Sequence, residues 1–311
     1  MELLLFRHNW GLPEASWEQK LAAIGQGGFA GVETGELLPT DYSRFQDLLQ
    51  KHKLRFIPQI FTTGTGVVEH LASFRKQLTA VSRFSPIRVN CHSGSDRWGF
   101  DEAKRFYVEA LQVEADTEFP VAHETHRGRC LFHPWAAARL LEAYPQLRLC
   151  ADFSHWVCVC ERLLASEEGI LRECARRAIH IHARVGFENG PQVNDPRAPE
   201  WKNHVEAHER WWRWIWEAQR ALEASCVSLT PEFGPPTYLP THPHTQAPIA
   251  NLQEICNWQA QRQAQRFKEW SSGTLSEIQD PQDDKKPASG STTSFGRSPF
   301  SNRENLFWGY E

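Results

Sequence analysis

The chain has 311 residues, with 34 Lys and Arg against 38 Asp and Glu, for a formal net charge of -4. That length can bury the core of one large domain or two ordinary ones, and no apolar run is long enough to cross a bilayer. The acidic balance disfavours a surface built for nucleic acid or a membrane, since either needs clustered basic charge.

Residues 1–7 carry an acid where a signal peptide has its basic region, and no cleavage site follows, so a cytoplasmic setting is expected. The eight cysteines are scattered without a CxxC pair, which reads as small core residues in a reducing compartment. Short β-rich runs fall at residues 3–6, 31–34, 55–61, 87–91, 120–124, 147–152, 178–183 and 227–232. Segments of helical period separate them. Val68, Leu71, Phe74, Leu78 and Val81 share one face, and Trp135, Leu140, Leu141 and Tyr144 mark another. Eight strand–helix repeats over about 270 residues predict an α/β chain folded as a (β/α)8 barrel; a doubly wound sheet more often has fewer strands. The barrel is expected to span residues 1–271. Residues 272–311 are polar and are predicted to form a disordered tail.

The segment 208–216 is rich in tryptophan. On a helix, Trp211, Ile215, Ala218 and Leu222 form one stripe toward the barrel, while Trp212 and Trp216 point away from it. The outward pair predicts a homodimer interface, with cover by another part of the same chain as the alternative.

A barrel of this kind carries its active site at the C-terminal ends of its strands. The last four apolar runs end in VAHETHRGR, LCADFSHW, IHIHARVG and LTPEFGPP. One inward donor from each gives Glu124, Asp152, His182 and Glu232. Any one alone reads as a helix cap or a surface charge. Three carboxylates at one mouth would repel each other, and a single divalent cation is the physical way to hold them. Oxygen-rich ligation with one imidazole suits Mn, Mg or Co in preference to Zn. HETH is not the zinc-protease HExxH, because His123 and His126 are three apart on a β-run rather than four apart on a helix. His8 and His92 follow the first and fourth runs and are candidate substrate contacts, with a structural histidine as the plain alternative. His126, Arg127 and Arg129 follow Glu124, where a guanidinium can bind a carboxylate or phosphate, or only a salt-bridge partner across the rim. Trp10, Trp98 and Trp156 are candidates for an apolar wall against a sugar ring.

HETHRGR, DFSH, HIHAR and TPEFG, in this order on successive strands, resemble the xylose isomerase-like TIM barrels, the sugar phosphate isomerase/epimerase family. The resemblance covers the chain to about residue 270. It implies one metal held by Glu124, Asp152, His182 and Glu232, with Glu124 and Glu232 doubling as the acid/base pair, and His155 touching substrate. Many members read HxKD after the metal histidine; this chain has His182-Ala183-Arg184, which keeps a positive charge in Arg184, a candidate substrate contact, and loses the acid. The implied activity is a metal-dependent sugar or sugar phosphate isomerase or epimerase of carbohydrate metabolism. It would remove a proton next to the carbonyl of a small polyhydroxylated substrate through a metal-stabilised enediolate. The alternatives are a lyase or dehydratase of an inosose or keto acid, an abasic-site endonuclease, and a barrel that binds without turnover.

Overall fold

The computed structural model describes residues 1–274, so the predicted tail lies outside the described residues except for its first three positions. Eight strands, β1 (Glu2–His8), β2 (Gly31–Thr34), β3 (Arg55–Phe61), β4 (Val89–His92), β5 (Val121–Glu124), β6 (Leu149–Ala151), β7 (Ala178–His182) and β8 (Cys226–Thr230), form a closed barrel in chain order. Every pairing is parallel, and β8 closes the ring on β1. This is a TIM barrel, as the spacing predicts. Three of the predicted strand ends are too long, at Asp152, Ala183 and Glu232. Asp152 and Glu232 lie just beyond β6 and β8, where the chain has left the ladder to turn over the barrel mouth.

The outer layer is made by α1 (Trp17–Gln26), α2 (Tyr42–His52), α3 (Val67–Ser82), α4 (Phe100–Ala115), α5 (Pro134–Ala143), α6 (Ser154–Cys160), α7 (Glu168–Arg177), α8 (Lys202–Ala221) and α9 (Leu252–Ser271). None of these helices is long and apolar enough to cross a membrane. All eight cysteines are free. Ser16 and Gln19 cap α1 reciprocally, and Asn251 caps α9 by accepting from the backbone of Gln253 and Glu254, so each helix starts where a side chain can satisfy its orphan amides.

Alternation along the strands sends successive side chains to opposite faces. Leu4, Phe6 and Ile57 pack together as a small buried cluster, while Val89, Val121, Leu149, Ile181, Val227 and Leu229 belong to the main core shared with the helices. Gly31 has no room for a side chain: a Cβ there would lie 2.5 Å from the Phe6 ring and 2.1 Å from the Arg55 carbonyl oxygen.

The outward tryptophans of the α8 segment are not a surface. Trp212 and Trp216 are 0% and 1% exposed within the single chain. Trp216 packs at 5.3 Å from Phe267 and 5.8 Å from Trp270, both on α9. Both are therefore buried within the chain, Trp216 against α9, so the pair does not present the outward surface on which a homodimer was expected.

His208, on the same helix, donates from Nδ1 to the His204 carbonyl at 2.8 Å and accepts the Gly186 amide at Nε2 at 3.2 Å. Burial pushes it down to about 3, so it is neutral in the folded state. Its folded pKa lies below its unfolded value of about 6.5, so its contribution to stability is complete above that pH and is lost as pH falls toward 3. At pH 5, His208→Gln is expected to reduce by about one the protons taken up on unfolding, read from the pH dependence of urea unfolding. An unchanged proton uptake would show that His208 is not the buried neutral group.

Candidate metal centre

Glu124 ends β5, His182 ends β7, Asp152 follows β6 by one residue and Glu232 follows β8 by two. These four, taken from strands far apart in sequence, meet inside the barrel mouth. One ligand atom from each lies within 4.8 Å of all the others, and none of the four is more than 4% exposed.

Beside them is a fourth carboxylate. Glu33, near the end of β2 and fully buried, accepts from His182 Nε2 at 2.9 Å, His180 Nε2 at 3.1 Å, Thr230 Oγ1 at 2.5 Å and Asn90 Nδ2 at 3.3 Å. Burial opposes its ionisation, but His182 and His180 outweigh it and hold Glu33 well below the usual carboxylate range. The hydrogen bond from Nε2 fixes the His182 ring and leaves Nδ1 facing Glu232 Oε2 at 2.6 Å and Glu124 Oε2 at 3.5 Å. A partner that fixes one ring nitrogen so that the other is free to ligate is the usual support of a metal-binding histidine. Glu33 was legible. GVETG ends an apolar run in a carboxylate, as three of the last four runs do. His180 was also within reach, because alternation puts it on the same face as His182.

Arg184 occupies the position where many relatives of the resembled family carry a lysine. Its Nε and Nη2 donate to Asp152 Oδ2 at 3.1 and 2.8 Å, and Nη2 also donates to Glu232 Oε2 at 2.6 Å. It is therefore a clamp on two of the four donors. Burial opposes ionisation of Glu232 as well, yet Arg184 and His182 hold it down to about 2. For Asp152, burial wins despite the guanidinium and pushes the carboxyl up to about 6.

The remaining candidates sort by distance. His92 Nε2 is 2.8 Å from Glu124 Oε2, His155 Nε2 is 3.6 Å from Asp152 Oδ2, and His8 Nε2 is 3.7 Å from Glu232 Oε1. The His126 ring lies 4.7 Å from His92 and 3.9 Å from His155. Burial and the neighbouring His92 push His126 down to about 3, and burial beside His126 holds His155 well below the ordinary imidazole range. Four histidines thus ring the carboxylates. Arg127 is exposed and lies over the Tyr238 ring at 5.3 Å, outside the carboxylate cluster. Arg129 donates to the carbonyls of Thr62 and Gly94 and serves the loops. Of the three tryptophans, Trp10 alone borders the centre, 5.8 Å from the Arg184 guanidinium and edge-on to Tyr238 at 5.0 Å. Trp98 packs on His70 and Phe106, and the buried Trp156 packs on Phe153 and donates to the Leu131 carbonyl.

The donor set fits a divalent cation. Glu33, Glu124, Asp152 and Glu232 are four buried acids with one guanidinium among them, and Glu124 Oε1 is buried without a hydrogen-bond partner. Carboxylates in that excess are stabilised by a further cation.

Fold and centre together define a parallel eight-stranded barrel with a buried carboxylate–histidine group able to hold a metal ion. The barrel matches in structure those of xylose isomerase-like TIM barrel proteins, at low sequence identity. Among solved structures, the chain is similar to 3-keto-D-glucoside 4-epimerase YcjR from E. coli, with TM-score 0.56, 13% identity, and 85% of this chain and 100% of that one covered. It is also similar to the probable 3-DHS dehydratase AsbF from Bacillus anthracis, with TM-score 0.58, 12% identity, and 84% and 98% covered. A third, endonuclease IV from Thermus thermophilus, gives TM-score 0.53, 14% identity, and 87% and 99% covered. No family model and no curated protein matches the sequence.

Proposed function

We propose that this protein is a metal-dependent isomerase or epimerase that moves a proton on the carbon beside the carbonyl of a small polyhydroxylated substrate. The observation that carries the reading is the meeting of Glu124 and Glu232 with Asp152 and His182 around one point, with ligand atoms within 4.8 Å. A divalent cation held by these four supplies Lewis acidity to the substrate carbonyl. Both glutamates start ionised, so either Glu124 or Glu232 takes the substrate proton as base, and the carboxyl group so formed returns that proton as acid, directly or through the other glutamate. Glu232 is ionised well below neutral pH, and Glu124 is likewise held well below the usual range, where burial opposes ionisation but His92 and His182 overcome it. The neutral rings of His126 and His155 can both donate and accept, which suits hydroxyl groups of either orientation. Arg184 positions Asp152 and Glu232, and Trp10 with Tyr238 screens the centre from water.

The dehydratase reading uses the same proton abstraction and differs in expelling a β-hydroxyl. The endonuclease reading is opposed by the net charge of -4, since a duplex is held through its phosphates. The test is deuterium exchange in heavy water by protein loaded in turn with Mn, Mg, Co or Zn, against ketoses, inososes and hydroxypyruvate. Label is expected on the carbon next to the carbonyl, and is expected to vanish with a chelator. Loss of water from the product would move the assignment to the dehydratase, and cleavage of an abasic duplex to the endonuclease.

A further inference from the structure

We infer a second ligand site, for a small anion with an apolar body, on the outer side of β1 between α1 and α9. Arg7 points outward from β1 yet is only 2% exposed. Its Nη2 donates to Gln253 Oε1 at 2.9 Å, and its Nη1 is buried without a hydrogen-bond partner. Arg7 lines a cavity of about 460 Å³, together with Leu12, Lys20, Ile24, Phe29 and Gln253. Lys20 donates from Nζ to Asn9 Oδ1 at 3.1 Å. Among the described residues neither cation has a carboxylate partner; both lean on neutral amides.

A buried guanidinium without a counter-ion is costly, and arginine is never neutral in a protein. The chain tolerates that cost beside a cavity whose other walls are mostly apolar, from Leu12, Pro13, Ala23, Ile24 and Phe29, with the neutral amides of Gln19, Gln253 and Asn257. A carboxylate or phosphate monoester with a compact apolar group satisfies both features: its head meets Arg7 and Lys20, and its body meets Leu12, Ile24 and Phe29. Gln253 also donates from Nε2 to the Gly11 carbonyl at 3.0 Å. The site thereby touches the loop that carries Trp10, without sharing any of the centre's carboxylates.

The test is calorimetry and thermal melting of the full chain in low-salt buffer with phenyl phosphate, phenylacetate, inorganic phosphate and benzyl alcohol. Phenyl phosphate or phenylacetate is expected to bind and raise the Tm; the tighter of the two identifies the head group. Inorganic phosphate is expected to bind more weakly and benzyl alcohol not at all. Arg7→Met is expected to weaken binding by about tenfold or more, the loss of a charge-assisted hydrogen bond. Lys20→Gln, at a half-buried position that tolerates substitution, is expected to weaken it severalfold. Glu232→Gln is expected to bind as the wild type does, which separates this site from the barrel mouth. Equal affinity in the wild type and in whichever of Arg7→Met and Lys20→Gln folds would overturn the proposal. So would the absence of saturable binding by any of the anions in the millimolar range.

Discussion

Glu232→Gln is expected to leave the barrel folded and to lower turnover by roughly two to four orders of magnitude, the usual contribution of a positioned acid or base. The amide keeps the shape of the carboxylate and loses its charge. In the native protein Glu232 Oε2 accepts from Arg184 at 2.6 Å, and that guanidinium keeps its second partner, Asp152, in the variant. Glu124→Gln is expected to behave alike. Its Oε2 accepts from Asn90 Nδ2 at 2.7 Å, a contact that a glutamine carbonyl can retain. Both variants should unfold in urea near the wild-type midpoint, so a loss of activity would be a loss of chemistry. The measurement is kcat on whichever substrate shows exchange, beside unfolding and metal content. Full turnover in both variants would remove the two glutamates from the acid/base role.

The second large effect is expected at Glu33. Glu33→Ala takes away the acceptor of His180, His182 and Thr230 in a site with no access to water. Breaking a buried ion pair by removing one partner costs about 3–5 kcal/mol. In a domain of this size that lowers the Tm on the order of 10 °C. Because Glu33 also orients His182, affinity for Mn or Co should fall about 10- to 100-fold, the usual penalty for losing the partner of a metal-ligating histidine. Differential scanning fluorimetry and metal titration read the two effects separately. Glu33→Gln should recover part of the stability, because its carbonyl can still accept one hydrogen bond. An unchanged melt for Glu33→Ala would show that the histidines find other partners.

Arg184 explains how the chain can depart from HxKD and keep its carboxylates close. A guanidinium presents a planar fork, and here the fork joins Asp152 to Glu232 across 80 residues of chain. An ammonium in its place would hold the same charge without the fork. The residue that departs from the family's lysine is, in the folded chain, a direct contact with two of the four donors.

Strand count and strand-end chemistry were written in local pattern. Runs of alternating or apolar residues name β1 through β8 because side-chain direction along a strand depends only on neighbouring residues. The polar residues that end those runs name Glu124, Asp152, His182 and Glu232 for the same reason. The tertiary structure alone decided what these residues touch. Glu33 and His182 are 149 residues apart, and no local period can announce their hydrogen bond. Trp212 and Trp216 look like an outward face from the helix they sit on, yet both are buried in the folded chain, Trp216 against the rings of α9. Arg7 reads as an ordinary charge at the end of a strand until α1 and α9 close around it. Sequence sets which face of an element a side chain takes; packing between elements sets whether that face meets water, a counter-ion or neither.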